Sequence, residues 1–149
     1  MLPIVSITLF LPVLGALLVM VLRRPPPRVV HAIGITTSGL TLLGAVLMWL
    51  RGVNDSGFAQ VEQIDWMPSI GAAYRVGVDG ISLPLVLLSA LLFFFTFIYS
   101  AKLRERAPAF VVLMLLLETA AIGTFTALDA ILFYVFFEIS LVSMYFMIA

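Results

Sequence analysis

Two carboxylates sit where a carboxylate is out of place. Glu118 lies inside the apolar run Ala109–Ala127, and Glu138 lies inside the run Asp129–Ala149. A charged side chain at the middle of a bilayer costs at least about 2.5–3.5 kcal/mol, so such a residue needs a partner, a water-filled cavity or a proton. Burial raises a carboxyl pKa and a nearby cation lowers it. A glutamate balanced between these effects can load and release a proton near neutral pH. Proton transfer is therefore the chemistry these residues suggest.

The faces of the two segments separate the candidates. At 100° per residue, Tyr134 and Tyr145 fall within about 40° of Glu138. The stripe Tyr134–Glu138–Tyr145 offers hydrogen-bond partners and a place for water. Glu118 instead shares its face with Val111, Met114, Leu115, Ile122 and Phe125. Thr119, Gly123 and Ala127 lie on another side and form a small-residue stripe suited to close helix packing. Glu138 is thus the leading proton-transfer candidate, with Tyr134 and Tyr145 in support, and Glu118 is the second. The plainer reading of Glu138 is a structural carboxylate bonded to neighbouring helices. For Glu118 it is a contact with a neighbouring chain or a permanently protonated acid. Asp129 reads as a turn or cap residue. His31, at a helix start beside arginines, reads as interfacial and without function.

The elements that position these residues are membrane spans. The chain has 149 residues, 63% hydrophobic and 11% charged. A soluble domain carries about 45–50% apolar and about 25% charged residues. A helix crosses a bilayer core with about 20 apolar residues. Five such segments fit: Pro3–Leu22, Val29–Leu50, Ile81–Ala101, Ala109–Ala127 and Asp129–Ala149. The expectation is an all-α integral membrane protein of about five transmembrane helices. Arg23-Arg24-Pro25-Pro26-Pro27-Arg28 separates the first two, because three prolines cannot continue a helix. Asp79 is placed to cap the third segment, with Pro84 in its first turn. The loop from Arg51 to Gly80 is the one long polar stretch, and Val61–Trp66 with Ala73–Val78 could form a short hairpin.

Depth follows from the last two segments. Glu138 lies nine residues beyond Asp129, roughly 14 Å along a helix, which is near the bilayer midplane. Glu118 stands ten residues before Leu128 and Glu138 ten after it, so an antiparallel hairpin puts both carboxyls at similar depth. The chain has no cysteine and one histidine, and it lacks a Gly-rich phosphate loop or a basic nucleic-acid patch. No metal, redox cofactor or nucleic acid is expected on this chain.

The run Ala127-Leu128-Asp129-Ala130-Ile131-Leu132-Phe133-Tyr134-Val135-Phe136-Phe137-Glu138-Ile139-Ser140-Leu141-Val142-Ser143-Met144-Tyr145-Phe146 resembles subunit M of the proton-pumping NADH–quinone oxidoreductases, respiratory complex I. Val76-Gly77-Val78-Asp79-Gly80-Ile81-Ser82-Leu83 matches the same family just before its third helix. The resemblance implies an antiporter-like membrane subunit without a redox site, which conducts protons while flavin and iron–sulfur clusters reside in partner subunits. It places the family's key fifth-helix glutamate on Glu138 and pairs it with a lysine on a later helix. No lysine lies inside any segment of this chain.

The expectation is therefore the N-terminal part of a larger helical bundle. Residues 1–107 would be its three leading helices, with an external loop at 51–80, and residues 108–149 the first two helices of an antiporter-like repeat. Expected partners are other complex I membrane subunits, the lipid bilayer and protons, in a bacterial plasma membrane. A cation/proton antiporter subunit is the rival reading. One residue departs from the family pattern: Ser143 stands where a proline is usual, five positions after the glutamate. Serine can at most bond back to the Ile139 carbonyl and bend the helix mildly.

Orientation follows from the basic residues. The loops after segments one and three carry six of the eight Lys and Arg residues, whereas the Arg51–Gly80 loop carries two against four acids. The positive-inside rule then puts the N-terminus and the long loop outside. A reporter fused near Arg104 is expected to read out in the cytoplasm, and an external readout would refute this orientation.

Overall fold

In the computed structural model, which describes residues 3–53 and 57–149, each span is a single continuous helix. These are α1 (Ile4–Val21), α2 (Pro27–Arg51), α3 (Ser82–Ser100), α4 (Ala107–Thr126) and α5 (Ala130–Ile148). All five are long and apolar enough to cross a membrane. The helix starts differ slightly from the sequence reading. Pro27 belongs to α2 as its opening residue, and α4 begins at Ala107 with Pro108 in its first turn. Proline fits there because the first N–H groups of a helix have no intrahelical acceptor.

The polar loop forms the expected hairpin. Strand β1 (Ala59–Met67) pairs antiparallel with β2 (Ala72–Val78), joined by a short 3-10 turn at Pro68–Ile70. Gly71 ends that turn at φ 71°, a left-handed conformation that glycine adopts without steric cost. The pairing slips between Ala59 and Glu62. Gln60, at φ 55°, lies in this bulge. Asp55, one of the four acids counted in the loop, lies outside the described residues.

The hairpin secures the helix ends on its side of the bundle. Glu62 reaches from β1 to the start of α1, where its carboxylate accepts the N–H of Val5 at 2.8 Å and of Ser6 at 3.0 Å. The Ser6 hydroxyl also bonds Glu62, and it lies 2.6 Å from the Tyr74 hydroxyl on β2. Here a carboxylate meets the partial positive charge of a helix N-terminus. Burial, reinforced by the Glu62 charge and opposed by the Ser6 hydrogen bond, raises the Tyr74 phenol above its usual pKa. At the C-terminal end of α2, the Gln60 amide donates to the Met48 and Gly52 carbonyls, both at 3.1 Å. These are C-terminal carbonyls that a helix leaves without an internal partner.

Two aspartates serve the starts of α3 and α5. The Asp79 carboxylate accepts the N–H groups of Ser82 and Ile81, and the Ser82 hydroxyl accepts the Asp79 N–H in return. Asp129 caps α5 through the N–H groups of Ile131 and Leu132, as its reading as a cap residue anticipated. Its second oxygen takes the Ala73 N–H of β2 at 3.4 Å. The Leu128 N–H donates to the Arg75 carbonyl at 2.8 Å, tying the α4–α5 turn to the same strand. These amide bonds, to Ser82 for Asp79 and to Leu132 for Asp129, hold both carboxyls below the ordinary range. A lowered carboxyl pKa stabilises the fold above the unfolded value of about 3.9, and that stabilisation is lost as pH falls through the native value.

Within the bundle, α1 and α2 pack through reciprocal threonine–glycine contacts. Thr8 lies against Gly44, and Thr37 lies against Gly15. A side chain built on Gly15 would stand 2.6 Å from Thr37, so the two backbones approach as closely as glycine permits. Two apolar clusters fill the interior. One, on the hairpin side, includes Val5, Leu9, Met48, Val76, Val86 and Ile122. The other includes Val19, Val30, Phe97, Val111 and Leu115, toward the end that carries the basic loops.

His31 belongs to that basic end. It is buried at 3% exposure, with the α3–α4 loop folded over it. Its Nε2 lies 2.6 Å from the Leu103 carbonyl and donates to it.

Glu62→Ala is expected to release the hairpin from α1 at a cost of about 1 kcal/mol, the scale of a lost helix cap. The measurement is limited proteolysis of the full-length subunit, where cleavage between Met67 and Ala72 should accelerate. Unchanged cleavage would show that the cap does not anchor the hairpin.

Candidate functional site

Glu118 occupies the interior of the bundle. It stands near the middle of α4, between Leu115 of one apolar cluster and Ile122 of the other, and it is fully buried. Its companions on that face, Val111, Met114, Leu115 and Ile122, are buried with it. Ser38, near the middle of α2, donates its hydroxyl to Glu118 Oε1 at 2.9 Å. Ser38 is fully buried as well. Among the described residues Oε2 has no hydrogen-bond partner, and neither has Thr119 Oγ1, next to it in sequence. An unsatisfied polar atom in a dry interior is costly, and where one persists it calls for a reason.

The small-residue stripe beside Glu118 does what its composition suggests. The Phe136 ring of α5 lies directly on Gly123, leaving no room for a side chain there. Phe136, Leu132 and Ser143 are the buried residues of α5. That face packs on α4, the main contact of α5 within the chain.

Glu138 points elsewhere. It lies two residues from Phe136, about 200° around the helix, and so on the far side from α4. Tyr134 at 60% exposure and Tyr145 at 68% share that outward side, and Glu138 itself is half-buried. The stripe Tyr134–Glu138–Tyr145 therefore exists as a continuous surface of α5 that no other described helix covers. The two glutamates sit on adjacent antiparallel helices but face opposite ways. Glu118 is turned toward α2, and Glu138 is turned out of the described bundle.

Where a proline is usual in the family pattern, α5 runs straight on through Ser143 as helix. Ser143 is buried, and the back-bond of this region is made by Ser140, to the Phe137 carbonyl at 2.6 Å. Among the described residues, no group of three or more His, Cys, Asp or Glu side chains could hold a metal ion. The residue that sequence reasoning missed is Ser38. Its signal was the hydroxyl-rich stretch Thr36-Thr37-Ser38-Gly39-Leu40-Thr41 at the centre of an apolar helix. Such a stretch is explained when its hydroxyls meet something polar.

Ser38→Ala strips Glu118 of its one hydrogen bond and is expected to destabilise the full-length subunit by about 1–3 kcal/mol. Combining it with Glu118→Ala should cost less than the sum of the single changes, read as thermal denaturation midpoints in detergent. Strict additivity would show that the two residues do not act as a pair.

No family model matches the chain. Individual proteins do. It is 34% identical over 149 residues to NAD(P)H-quinone oxidoreductase chain 4 2 of Microcystis aeruginosa, covering 99% of this chain and 27% of that protein. It is 32% identical to NADH-quinone oxidoreductase subunit M of Rickettsia bellii, over 99% of this chain and 31% of the relative. The same identity, 32%, relates it to F420H2 dehydrogenase subunit M of Methanosarcina mazei, again over 99% of this chain and 30% of the relative. The chain thus spans less than a third of the length of these relatives. Its fold is shared with a chain of the membrane-bound sulfane sulfur reductase, an archaeal respiratory membrane complex, at a TM-score of 0.74 and 20% identity, over 95% of this chain and 22% of that one. Nearly its whole length is therefore homologous to the N-terminal part of subunit M, or chain 4, of the NADH–quinone oxidoreductases.

Proposed function

We propose that this chain forms the N-terminal part of a proton-translocating, non-redox membrane subunit of an NADH–quinone oxidoreductase, working with other membrane subunits in a bacterial plasma membrane. Glu138 is the group that takes up and passes on the proton. The reading rests on one observation: a half-buried glutamate at mid-span, flanked on its own face by two tyrosines that no other described helix covers. A carboxylate that only held this bundle together would be turned into it, as Glu118 is. Glu138 is turned toward a surface where a further helix or a hydrated path can reach it. A lysine there would complete the pair that the family resemblance implies.

The relatives' names support placing the redox chemistry elsewhere. They specify NAD(P)H, NADH and F420H2 as electron donors, yet the matching M-type subunit is common to all three. A subunit indifferent to the donor is one that does not handle the electrons. Flavin and iron–sulfur clusters then belong to partner subunits, and quinone reduction drives proton transfer here at a distance. Glu118, enclosed and held by Ser38, acts as a second proton-exchanging group or as a structural acid.

In the complete complex, Glu138→Gln is expected to abolish proton pumping and leave assembly intact, measured as acidification driven by quinone reduction in sealed vesicles. Full pumping by that variant would overturn the proposal. Glu118→Gln retains an oxygen for the Ser38 hydroxyl, so that variant assembles, and loss of pumping in it would assign Glu118 to proton transfer as well.

A further inference from the structure

At the basic end of the bundle a groove of about 360 Å³ opens between the last turn of α1 and the first turns of α4. Its walls are apolar: Val19, Met20 and Leu22 on one side, Ala109 and Val112 on the other. Pro25 and Pro108 rim it, and Arg24 lines it as its one charged residue. From Pro108 to Val112 the α4 wall descends roughly 6 Å from the end of the helix, at 1.5 Å per residue. The groove thus starts where the polar loops end and runs into the apolar span.

Charge at this end is one-sided. Arg23, Arg24, Arg28, Lys102, Arg104 and Arg106 lie in the two adjoining loops, against the single acid Glu105. Arg24 is held at φ 53°, a left-handed conformation that a non-glycine residue seldom adopts. Such strain persists only where the surrounding structure imposes it, and it gathers at functional sites.

We propose that this groove binds an anionic phospholipid, with its phosphate at Arg24 and one acyl chain along Val19, Met20, Leu22 and Val112. The occupant follows from the two halves of the site. A soluble anion would gain the arginine and leave the apolar walls unfilled. A zwitterionic lipid would bring its own cation into a loop region that already carries six. An anionic lipid satisfies both halves, since basic residues next to a membrane span favour acidic headgroups and buried methylenes favour the apolar walls. The inference needs only that the chain spans a membrane and is independent of the role of Glu138.

The test is native mass spectrometry of the full-length subunit in its complex, released from detergent micelles containing either palmitoyl-oleoyl phosphatidylglycerol or palmitoyl-oleoyl phosphatidylcholine. Arg24→Gln should weaken phosphatidylglycerol retention about fivefold, the effect of one basic residue near a membrane surface, and leave phosphatidylcholine unchanged. Val112→Trp, which fills the groove but keeps the charge, should also lose phosphatidylglycerol. Arg23→Gln, outside the groove lining, should not. Unaltered phosphatidylglycerol binding in both Arg24→Gln and Val112→Trp would overturn the proposal. So would equal loss of the two lipids in Arg24→Gln, or full displacement of the lipid by inorganic phosphate. Cross-linking of a cysteine placed at Ala109 to another polypeptide would show protein in the groove and would overturn it too.

Discussion

A polar group inside a hydrocarbon layer has no water to bond, so each one must be matched within the protein or turned toward something that will match it. Nearly everything specific about this chain follows from that constraint. The backbone satisfies itself by forming helices, and the helix ends, where the internal bonds run out, become the places that need partners. The hairpin supplies them. Glu62 serves the start of α1, Gln60 the end of α2, and Asp129, tied to β2 through Ala73, the start of α5. A two-stranded sheet alone is marginal in water. Here it is held by the helix ends it caps, and they are held by it.

The same constraint separates the two intramembrane carboxylates. Glu118 is met internally through one oxygen, by a serine from α2, at the level where two apolar clusters meet. Glu138 is not matched by any helix other than its own. The arrangement suits the proton carrier proposed at Glu138. A group that must gain and lose a charge needs partners that can change, and a surface shared with further helices allows that. A close-packed interior does not, since it is dense and poorly deformable. Phe136 lying on Gly123 shows how tightly α5 is seated on α4, which keeps the outward stripe in a defined direction.

Much of this was legible in the residues. Apolar runs and proline clusters placed all five helices to within two residues, because hydropathy and the missing proline N–H act locally. The mixed stretches Val61–Trp66 and Ala73–Val78 marked the hairpin, and Asp79 and Asp129 were readable as caps from their positions before apolar runs. The face of Glu118 and the small-residue stripe beside it also followed from helical periodicity. What stayed hidden was pairing over long separations. Ser38 is eighty residues from Glu118, and Glu62 is 57 from Val5. No local pattern ties such residues together, and the burial of His31 depends likewise on the Leu103 loop, 72 residues away.

By itself the sequence determined that the chain spans a membrane and, to within two residues, where each helix begins and ends. These are consequences of hydrophobicity and of a fixed rise per residue, both carried by neighbours along the chain. Only the tertiary structure decided which glutamate is enclosed and which faces outward. That depends on how α4 and α5 are rotated about their axes, and their rotation is set by the fit of one helix against another: Gly123 under Phe136, and Glu118 against Ser38.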